Sequence, residues 1–265
     1  MRNTLIMTTI ALAAGSTLAG VTPTFLATNG DQLYRYDGGG VDTFTMADRI
    51  IGMTVDASGN VVGSSPSTAG NVGLYNLNNP FGTPSLSFVS ATAGNSYTSL
   101  TYVDGDLYGF FDGSQRIYNV DTGTDLGPIG VNNTTFGGSA YDADNGVFYA
   151  LGRNTMDDSV SLYTVSGFGG GSLSSTLVGS IGVLGDGMSL EFYDGTLYAA
   201  IQNIDNGHFE LGSLDLGNGS FNFMQTLATS FSPEGDPTSL AIVVPAPASM
   251  ALLGMGGLMA SRRRR

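Results

Sequence analysis

The sequence contains no cysteine, no lysine and no tryptophan. Without cysteine, the chain has no disulfides, no thiolate metal sites and no cysteine nucleophile. Without lysine, its positive charge rests on nine arginines, five of which lie at the extreme ends of the chain. The region between the ends contains the other four arginines and all 22 acidic residues, so its formal charge is −18. A surface this acidic repels phosphate backbones, so we expect no nucleic-acid partner.

Short apolar runs and turn-forming residues make up most of the remainder. The chain has 265 residues, 42% of them hydrophobic and only 12% charged, with 40 glycines. A chain of this length and apolar content can build one domain with a sizeable core. The glycines, together with frequent Asp, Asn, Ser and Thr, are typical of many short strands joined by turns.

The N-terminus has the pattern of a signal peptide. Arg2 precedes an apolar run from Leu5 to Leu18, and Thr17 and Ala19 are small residues at the positions a signal peptidase reads. We therefore interpret residues 1–19 as a signal peptide cleaved after Ala19. A buried N-terminal helix is the alternative, although the run lacks an amphipathic stripe.

The C-terminus has three parts in a fixed order. Pro245, Ala246 and Pro247 come first, an uncharged stretch from Met250 to Ala260 follows, and the chain closes on four arginines: Arg262, Arg263, Arg264 and Arg265. The uncharged stretch is short for a membrane span of about 20 residues. The terminal arginines predict that its end stays in the cytoplasm. Residues 20–244 are then placed outside the inner membrane.

This tail resembles the PEP-CTERM sorting segment over residues 245–265, with Ala246 where that segment usually has glutamate. The resemblance implies secretion by a bacterium that assembles exopolysaccharide or biofilm matrix. It also implies processing by an exosortase-type enzyme, association with exopolysaccharide or an envelope protein, and initial anchoring to the inner membrane through the C-terminal helix. A simple tail anchor is the alternative.

A repeated phrase runs through the middle of the chain. Each copy reads small-Leu-x-aromatic, then Asp-Gly or a similar turn, then x-Leu-Tyr-small, and the clearest copies are residues 99–109 and 189–199. Equivalent positions are spaced by 47, 40, 50 and 50 residues, and they are Met53, Leu100, Ala140, Leu190 and Leu240. Periods of this size are typical of β-propeller blades. Alternating apolar residues predict half-buried strands, and Asp-Gly supplies the positive φ angles of tight hairpins.

The two ends of the repeat region predict how a ring would close. Residues 238–243 resemble the first strand of a unit with nothing after it, whereas residues 24–28 and 32–37 resemble later strands that lack a first one. Joining them completes a fifth blade and removes exposed sheet edges. We therefore predict an all-β fold, a five-bladed β-propeller spanning residues 22–244 and closed by its C-terminal strand. A β-sandwich or jelly roll is the alternative.

Few residues suggest catalysis. A propeller glycosidase needs two carboxylates about 5–9.5 Å apart, and Glu191 is the best candidate because first strands line the channel of a propeller. Because successive side chains of a strand point to opposite faces, Glu191 could equally point to solvent. A channel-lining carboxylate pair that includes Glu191 would indicate an enzyme, and a channel filled by Leu, Val and Tyr would indicate a scaffold. The repeated Tyr108, Tyr149 and Tyr198 are assigned to packing between blades, and no catalytic residue is assigned.

Metal binding is the remaining candidate chemistry. His208 is the only histidine and follows a predicted turn at Asn206 and Gly207, so we interpret it as structural. Asp142 and Asp144 could supply oxygen ligands to Ca²⁺, but an Asx turn explains their spacing equally well.

Two functions follow from the sequence. The first is a non-enzymatic cell-surface or matrix protein without a cofactor, which binds a polymer or a protein. The second is an extracellular propeller-fold glycan hydrolase or lyase.

Overall fold

The repeats fold into antiparallel sheets, because each one alternates apolar and polar residues between tight turns. A computed structural model describes residues 22–66, 73–92, 96–111, 114–168, 172–231 and 237–245. Pro23–Val244 packs as one compact unit, to which Met1–Thr22 and Pro245–Arg265 do not belong. The predicted signal peptide and all of the predicted sorting segment after Pro245 lie outside the described residues. In the described part of the chain, no helix is both long and apolar enough to span a bilayer.

Blade 1 combines both ends of the repeat region in the strand order β19-β1-β2-β3. These strands are Thr238–Val243 (β19), Thr24–Asn29 (β1), Gln32–Tyr36 (β2) and Val41–Thr45 (β3). β19 pairs with β1 along its whole length, from Thr24 opposite Val243 to Asn29 opposite Thr238. The predicted ring closure by the C-terminal strand is therefore confirmed.

Blades 2 and 3 are consecutive four-stranded meanders. Blade 2 consists of Gly52–Val55 (β4), Val61–Ser65 (β5), Gly73–Asn78 (β6) and Ser85–Ala91 (β7). Blade 3 consists of Tyr97–Val103 (β8), Asp106–Phe111 (β9), Arg116–Asn119 (β10) and Thr124–Pro128 (β11).

Blades 4 and 5 share one strand. They are built from Thr134–Asp142 (β12), Val147–Asn154 (β13), Ser159–Ser166 (β14), Ser174–Tyr193 (β15), Thr196–Asn203 (β16), His208–Leu214 (β17) and Phe221–Ala228 (β18). The first part of β15 pairs with β14 as the outer strand of blade 4, and the part from Gly185 onward pairs with β16 as the inner strand of blade 5. Counting β15 in both sheets gives five blades of four strands.

One strand of each blade lies at the centre of the ring. We call these five strands the inner strands: β4, β8, β12, the second part of β15, and β19. Each packs against the next in the order β4, β8, β12, β15, β19 and back to β4, which closes the ring. The five residues aligned by the sequence repeat all lie on inner strands and are 0–2% exposed. All five inner strands run in the same direction, so their N-terminal ends meet at one face of the molecule.

Tight turns join the inner strands to their neighbours as the sequence predicts. Asp104 and Gly105 have φ angles of 52° and 97°, and Asp194 and Gly195 have φ angles of 47° and 75°. Positive φ at both turn residues defines the hairpin turn that Asp-Gly favours.

Aromatic residues pack between blades, which confirms the role predicted for the repeated tyrosines. Tyr108 of blade 3 meets Phe168, which follows blade 4 strand β14, with ring centroids 5.3 Å apart. Tyr149 of blade 4 stacks on Phe192 of blade 5 at 6.2 Å. Tyr198 of blade 5 meets Phe25 of blade 1 at 5.0 Å.

Candidate binding site at the channel mouth

A cavity of about 410 Å³ opens at the N-terminal ends of the inner strands. We call it the mouth cavity. All five blades, or the loops that lead into them, contribute to its wall, which is formed by Arg49, Ile51, Pro66, Thr98, Thr135, Phe136, Gly137, Arg153, Asp186, Gly187, Met188, Pro237 and Thr238. A cavity of this size falls within the range of small-ligand sites.

Three inner strands carry a β-bulge at the level of the mouth cavity. The strand register shifts between Tyr97 and Ser99 in β8, between Phe136 and Gly138 in β12, and between Gly185 and Met188 in β15. The residues within these shifts are Thr98, Gly137, Asp186 and Gly187, and all four line the cavity. A bulge bends a strand and redirects a side chain, and bulges are over-represented next to functional sites.

Arg153, at the end of β13, is held rigidly at the wall. Its Nε and Nη2 donate to Asp158 Oδ1 at 2.9 and 2.6 Å, and its Nη1 donates to Asp186 Oδ1 of the β15 bulge. The pair formed by Arg153 and Asp186 connects blade 4 to blade 5. Arg153 is therefore fixed at the cavity edge between two carboxylates, and this cluster of three groups has one excess negative charge.

Arg49 approaches the cavity from the short loop between β3 and β4. The next two residues, Ile50 and Ile51, are 1% and 2% exposed. Thr28 Oγ1 donates to the Ile50 carbonyl at 2.9 Å, and the Ile51 amide donates to the Ser64 carbonyl at 2.9 Å. The backbone that carries Arg49 is thus anchored to blades 1 and 2.

A buried polar chain supports the β15 bulge. The Gly187 amide donates to Gln202 Oε1 at 2.8 Å, and Gln202 Nε2 donates to Asn29 Oδ1 at 3.1 Å. Gln202 is fully buried, and Asn29 belongs to blade 1. A Cβ added to Gly187 would lie 2.8 Å from both Gln202 and Thr238. A larger residue at this position of the bulge would therefore displace the Gln202 or Thr238 side chain.

Two threonines in the wall have buried hydroxyls. Thr98 is 9% exposed and Thr238 is 2% exposed. Among the described residues, neither Oγ1 finds a hydrogen-bond partner. Leaving a buried hydroxyl unpaired costs about 1–3 kcal/mol, so both positions are unfavourable in the protein alone.

Below the cavity, small side chains allow the inner strands to approach closely. Ser139 Oγ hydrogen-bonds to Thr101 Oγ1 at 2.6 Å and to Ser99 Oγ, which joins β8 to β12. A Cβ added to Gly52 would lie 2.6 Å from the Tyr97 carbonyl oxygen. The channel at this level is narrow and lined by hydroxyls. The groups described at this level are neither a carboxylate pair nor a filling of Leu, Val and Tyr, the two arrangements that the sequence left open.

Glu191 lies inside the ring of inner strands. Its carboxyl accepts hydrogen bonds from the Thr54 hydroxyl and the Phe192 backbone. Burial raises the pKa of Glu191 well above its usual range, and the two hydrogen bonds offset that rise only in part. A carboxyl with this pKa favours the protonated, uncharged form.

Asp186 is a second carboxylate on the same strand, at the wall of the mouth cavity, and it lies far from Glu191. The two residues are five positions apart on β15, but one of these positions is the extra residue of the bulge, so about four ladder positions, roughly 13 Å, separate them along the strand. Glycosidase carboxylates are about 5–9.5 Å apart. The structure therefore does not bring these two groups into a hydrolytic pair.

The residues named as metal candidates build a turn. Asp142 is 2% exposed, and its Oδ1 accepts from the Asp144 and Asn145 amides at 3.1 Å, while its Oδ2 accepts from Asn145 Nδ2 at 2.7 Å. Within the described ranges, no three or more His, Asp or Glu side chains are grouped to hold a metal. Calcium binding by Asp142 and Asp144 stays a prediction.

The remaining predicted positions are structural or lie outside the described residues. His208 begins β17 after a turn in which Gly207 has φ of 74°, as predicted. Pro245 is the last described residue, and the sorting-motif positions Ala246, Pro247 and Arg262–Arg265 are not described.

Sequence reasoning missed the mouth cavity. Arg49, Arg153 and Asp186 are isolated charges with no motif around them. The available signal was that only four arginines occur between the chain ends, and two of them now share one cavity.

Comparisons with known proteins support the fold alone. No protein-family model and no curated protein matches the chain. Among solved structures, a chain of the crystal structure of the nidogen/laminin complex matches with a TM-score of 0.51 and 12% identity, covering 83% of this chain and 98% of that one. A putative TolB from Agrobacterium tumefaciens gives a TM-score of 0.44, 12% identity and coverage of 85% and 99%. The β-propeller domain of Myceliophteria thermophila Cps50 (Swd1) gives 0.41, 13% identity and coverage of 79% and 70%. The structures that match are β-propellers, and the protein is an all-β propeller.

Proposed function

We propose that this protein is an exported cell-surface or extracellular-matrix protein whose propeller binds a partner non-enzymatically at the mouth cavity. The observation that carries the proposal is the set of three bulges that place Thr98, Gly137, Asp186 and Gly187 at one cavity. Bulges depart from regular strand pairing at a cost in ladder hydrogen bonds, so their coincidence at one cavity favours a site shaped for binding.

The geometry favours binding over glycan hydrolysis or lysis. Glu191 is half-buried and hydrogen-bonded to Thr54, and desolvation raises its pKa. Asp186 is engaged by Arg153 and lies roughly 13 Å from Glu191 along the strand. An acid and a base acting across a cleft need both groups close to the same bond.

The proposed location rests on the two chain ends. The signal peptide pattern of residues 1–19 directs export, and the tail from Pro245 to Arg265 resembles a PEP-CTERM sorting segment. The expected partners are an exosortase-type processing enzyme, exopolysaccharide or an envelope protein, and at first the inner membrane.

Intact-mass analysis tests the export proposal. The protein is recovered from the native envelope and from the medium, and each form is weighed. A species that begins near Gly20 and ends near Pro247 supports export and tail processing. A membrane-bound form that retains Arg262–Arg265 contradicts processing and leaves a tail-anchored protein.

The absence of cysteine makes the binding proposal directly testable in the full chain. In a Thr135→Cys variant, the single thiol lies at the mouth cavity and can carry an environment-sensitive fluorophore. A Ser85→Cys variant, labelled on exposed β7, is the matched control. Exopolysaccharide and envelope extract from the source culture are the probes. We expect a saturable response at position 135 alone, and equal responses at both positions would contradict binding at the mouth.

A further inference from the structure

We propose that two copies of this protein associate through the outer edge of blade 2, with strand β7 of each copy facing β7 of the other in antiparallel orientation. β7 contributes no residue to the mouth cavity, so the inference does not depend on ligand binding there. It follows from the charge of blade 2, an exposed aromatic side chain on β7 and the nature of the other outer edges.

The strands of blade 2 carry no charge. The sequence contains no charged residue between Asp56 and Asp104, a stretch that includes β5, β6 and β7. The region between the chain ends nevertheless has a formal charge of −18, so two copies repel each other wherever their acidic surfaces meet. When β7 faces β7, no carboxylate on either strand opposes another, because the second copy brings an equally uncharged strand.

β7 presents an exposed aromatic side chain in a fixed position. Six of its seven residues are exposed, and Phe88 and Val89 are 52% and 51% exposed. The Phe88 ring packs edge-on against Tyr75, with ring centroids 5.5 Å apart. The same ring covers Gly73, where an added Cβ would lie 2.7 Å from Phe88 Cε2. The packed part of the ring holds the exposed part in place, which lowers the entropy lost on association.

The outer edges of the other blades are less suited to pairing. β3 carries Asp42, and β11 carries Asp125 and Pro128. Charge and proline on an edge strand oppose pairing with another chain. The turn between β17 and β18 covers the outer edge of β15 at Gly179, where an added Cβ would meet Asn218. β18 is interrupted by two register shifts, whereas β7 has one.

The geometry of blade 2 favours a closed pair of copies over a longer array. β7 pairs regularly with β6 from Ser85 to Phe88, and the register shift that follows makes Val89 an extra residue that twists the edge. The opposite edge of the blade, β4, packs inside the ring against β8 and β19. One edge of blade 2 is therefore free in each copy, and a two-fold pair uses both. Because this contact is small, we expect a weak dimer with a Kd of about 1–100 µM.

Sedimentation equilibrium of the full chain in detergent tests the pair. We expect a monomer–dimer equilibrium that strengthens with added salt, because salt screens the repulsion between two acidic copies. A dimer held by ion pairs would weaken with salt instead, and that result would overturn the inference. A chain that stays monomeric in high salt at about 1 mM would overturn it as well.

Two matched variants locate the contact. Phe88→Ser and Phe223→Ser each remove an aromatic side chain from an outer strand, and the two side chains are 52% and 57% exposed. We expect Phe88→Ser to weaken dimerisation by at least about tenfold, and Phe223→Ser on β18 to leave it unchanged. Both variants keep the chain ends, so any association through the ends affects them equally. Identical Kd values for the two variants would show that β7 is not the contact.

An added charge tests the same edge without removing a packed side chain. Ser90→Asp places a carboxylate on β7 of both copies, so we expect at least about tenfold weaker dimerisation at low salt and partial recovery at high salt. Thr43→Asp makes the same change of net charge on exposed β3 and is the control, for which we expect little change in Kd. If Thr43→Asp weakens the dimer as much as Ser90→Asp does, the effect comes from net charge and the assignment to β7 fails.

Discussion

The Glu191 carboxyl on β15 hydrogen-bonds to the Thr54 hydroxyl on β4, across the channel from it. β19 separates these two strands in the ring, and its residue at the equivalent repeat position is Ala241, which is fully buried. One carboxyl therefore links two blades that are not neighbours.

The raised pKa of Glu191 predicts a pH-dependent stability. Between the unfolded pKa of about 4.3 and the higher folded pKa, the folded state holds a proton that the unfolded state has lost. Stability therefore falls as pH rises through this window. Glu191→Gln removes the effect, so its gain in Tm over wild type should be near zero at pH 4 and grow toward neutral pH. Each unit of pKa shift corresponds to about 1.4 kcal/mol. Parallel Tm curves would contradict the raised pKa.

Close packing of the inner strands predicts a large effect for a small substitution. Gly52→Ala places a methyl group 2.6 Å from the Tyr97 carbonyl oxygen, so β4 and β8 must separate. We expect a loss of about 1–3 kcal/mol in the free energy of unfolding, measured with denaturant. Gly40→Ala is the control, because an added Cβ there meets nothing within 4 Å. Equal effects at both positions would show that the strands are not tightly packed.

The buried hydrogen bonds of Gln202 beneath the β15 bulge predict a second loss of stability. Gln202→Leu removes the partners of the Gly187 amide and of Asn29, two buried groups that each cost about 1–3 kcal/mol when unpaired. We therefore expect a decrease of roughly 2–5 kcal/mol in denaturant unfolding, together with weaker ligand binding, since the bulge positions Asp186. The control is Gln32→Leu, whose hydrogen bonds are exposed. A stable Gln202→Leu variant would mean that the hydrogen bonds of Gln202 do not support the bulge.

The ion pair between Arg153 and Asp186 predicts that removing Arg153 lowers stability more than removing the exposed Arg116. Arg153→Met leaves Asp186, whose side chain is only 16% exposed, without its partner, and should cost about 1–3 kcal/mol. Arg116→Met makes the same change of charge in an exposed pair with Asp125, and we expect little change in its unfolding midpoint. Thermal unfolding of the two variants side by side checks this, and matching shifts would argue against a structural role for Arg153.

The repeat phase and ring closure could be predicted because they depend on local patterns. Leu100 and Leu190 recur with the same neighbours, and Asp-Gly follows each at a fixed distance, so sequence spacing alone aligns the blades. The first strand at Thr238–Val243 has no later strands after it, so it closes the ring only by joining the N-terminal strands that lack a first one.

The mouth cavity could not be predicted, because it depends on how distant strands pair. Thr98 and Gly137 follow the same alternation as their neighbours, and only the partner strand shows that each is an extra residue in the ladder. Asp186 similarly meets Arg153 only through the pairing of blades 4 and 5. Glu191 could be placed on an inner strand, but its reach to Thr54 required the arrangement around the whole channel.

The direction of β19 determines how the protein presents its cavity. β19 begins at Thr238, in the cavity wall, and ends at Val243, roughly 17 Å farther along the strand. Because Val243 pairs with Thr24, the chain enters and leaves the propeller at the face opposite the cavity. The paired ends at Thr24 and Val243 are therefore separated from the cavity wall at Thr238 by the full length of β19, so a substitution at those ends would leave the cavity wall unchanged.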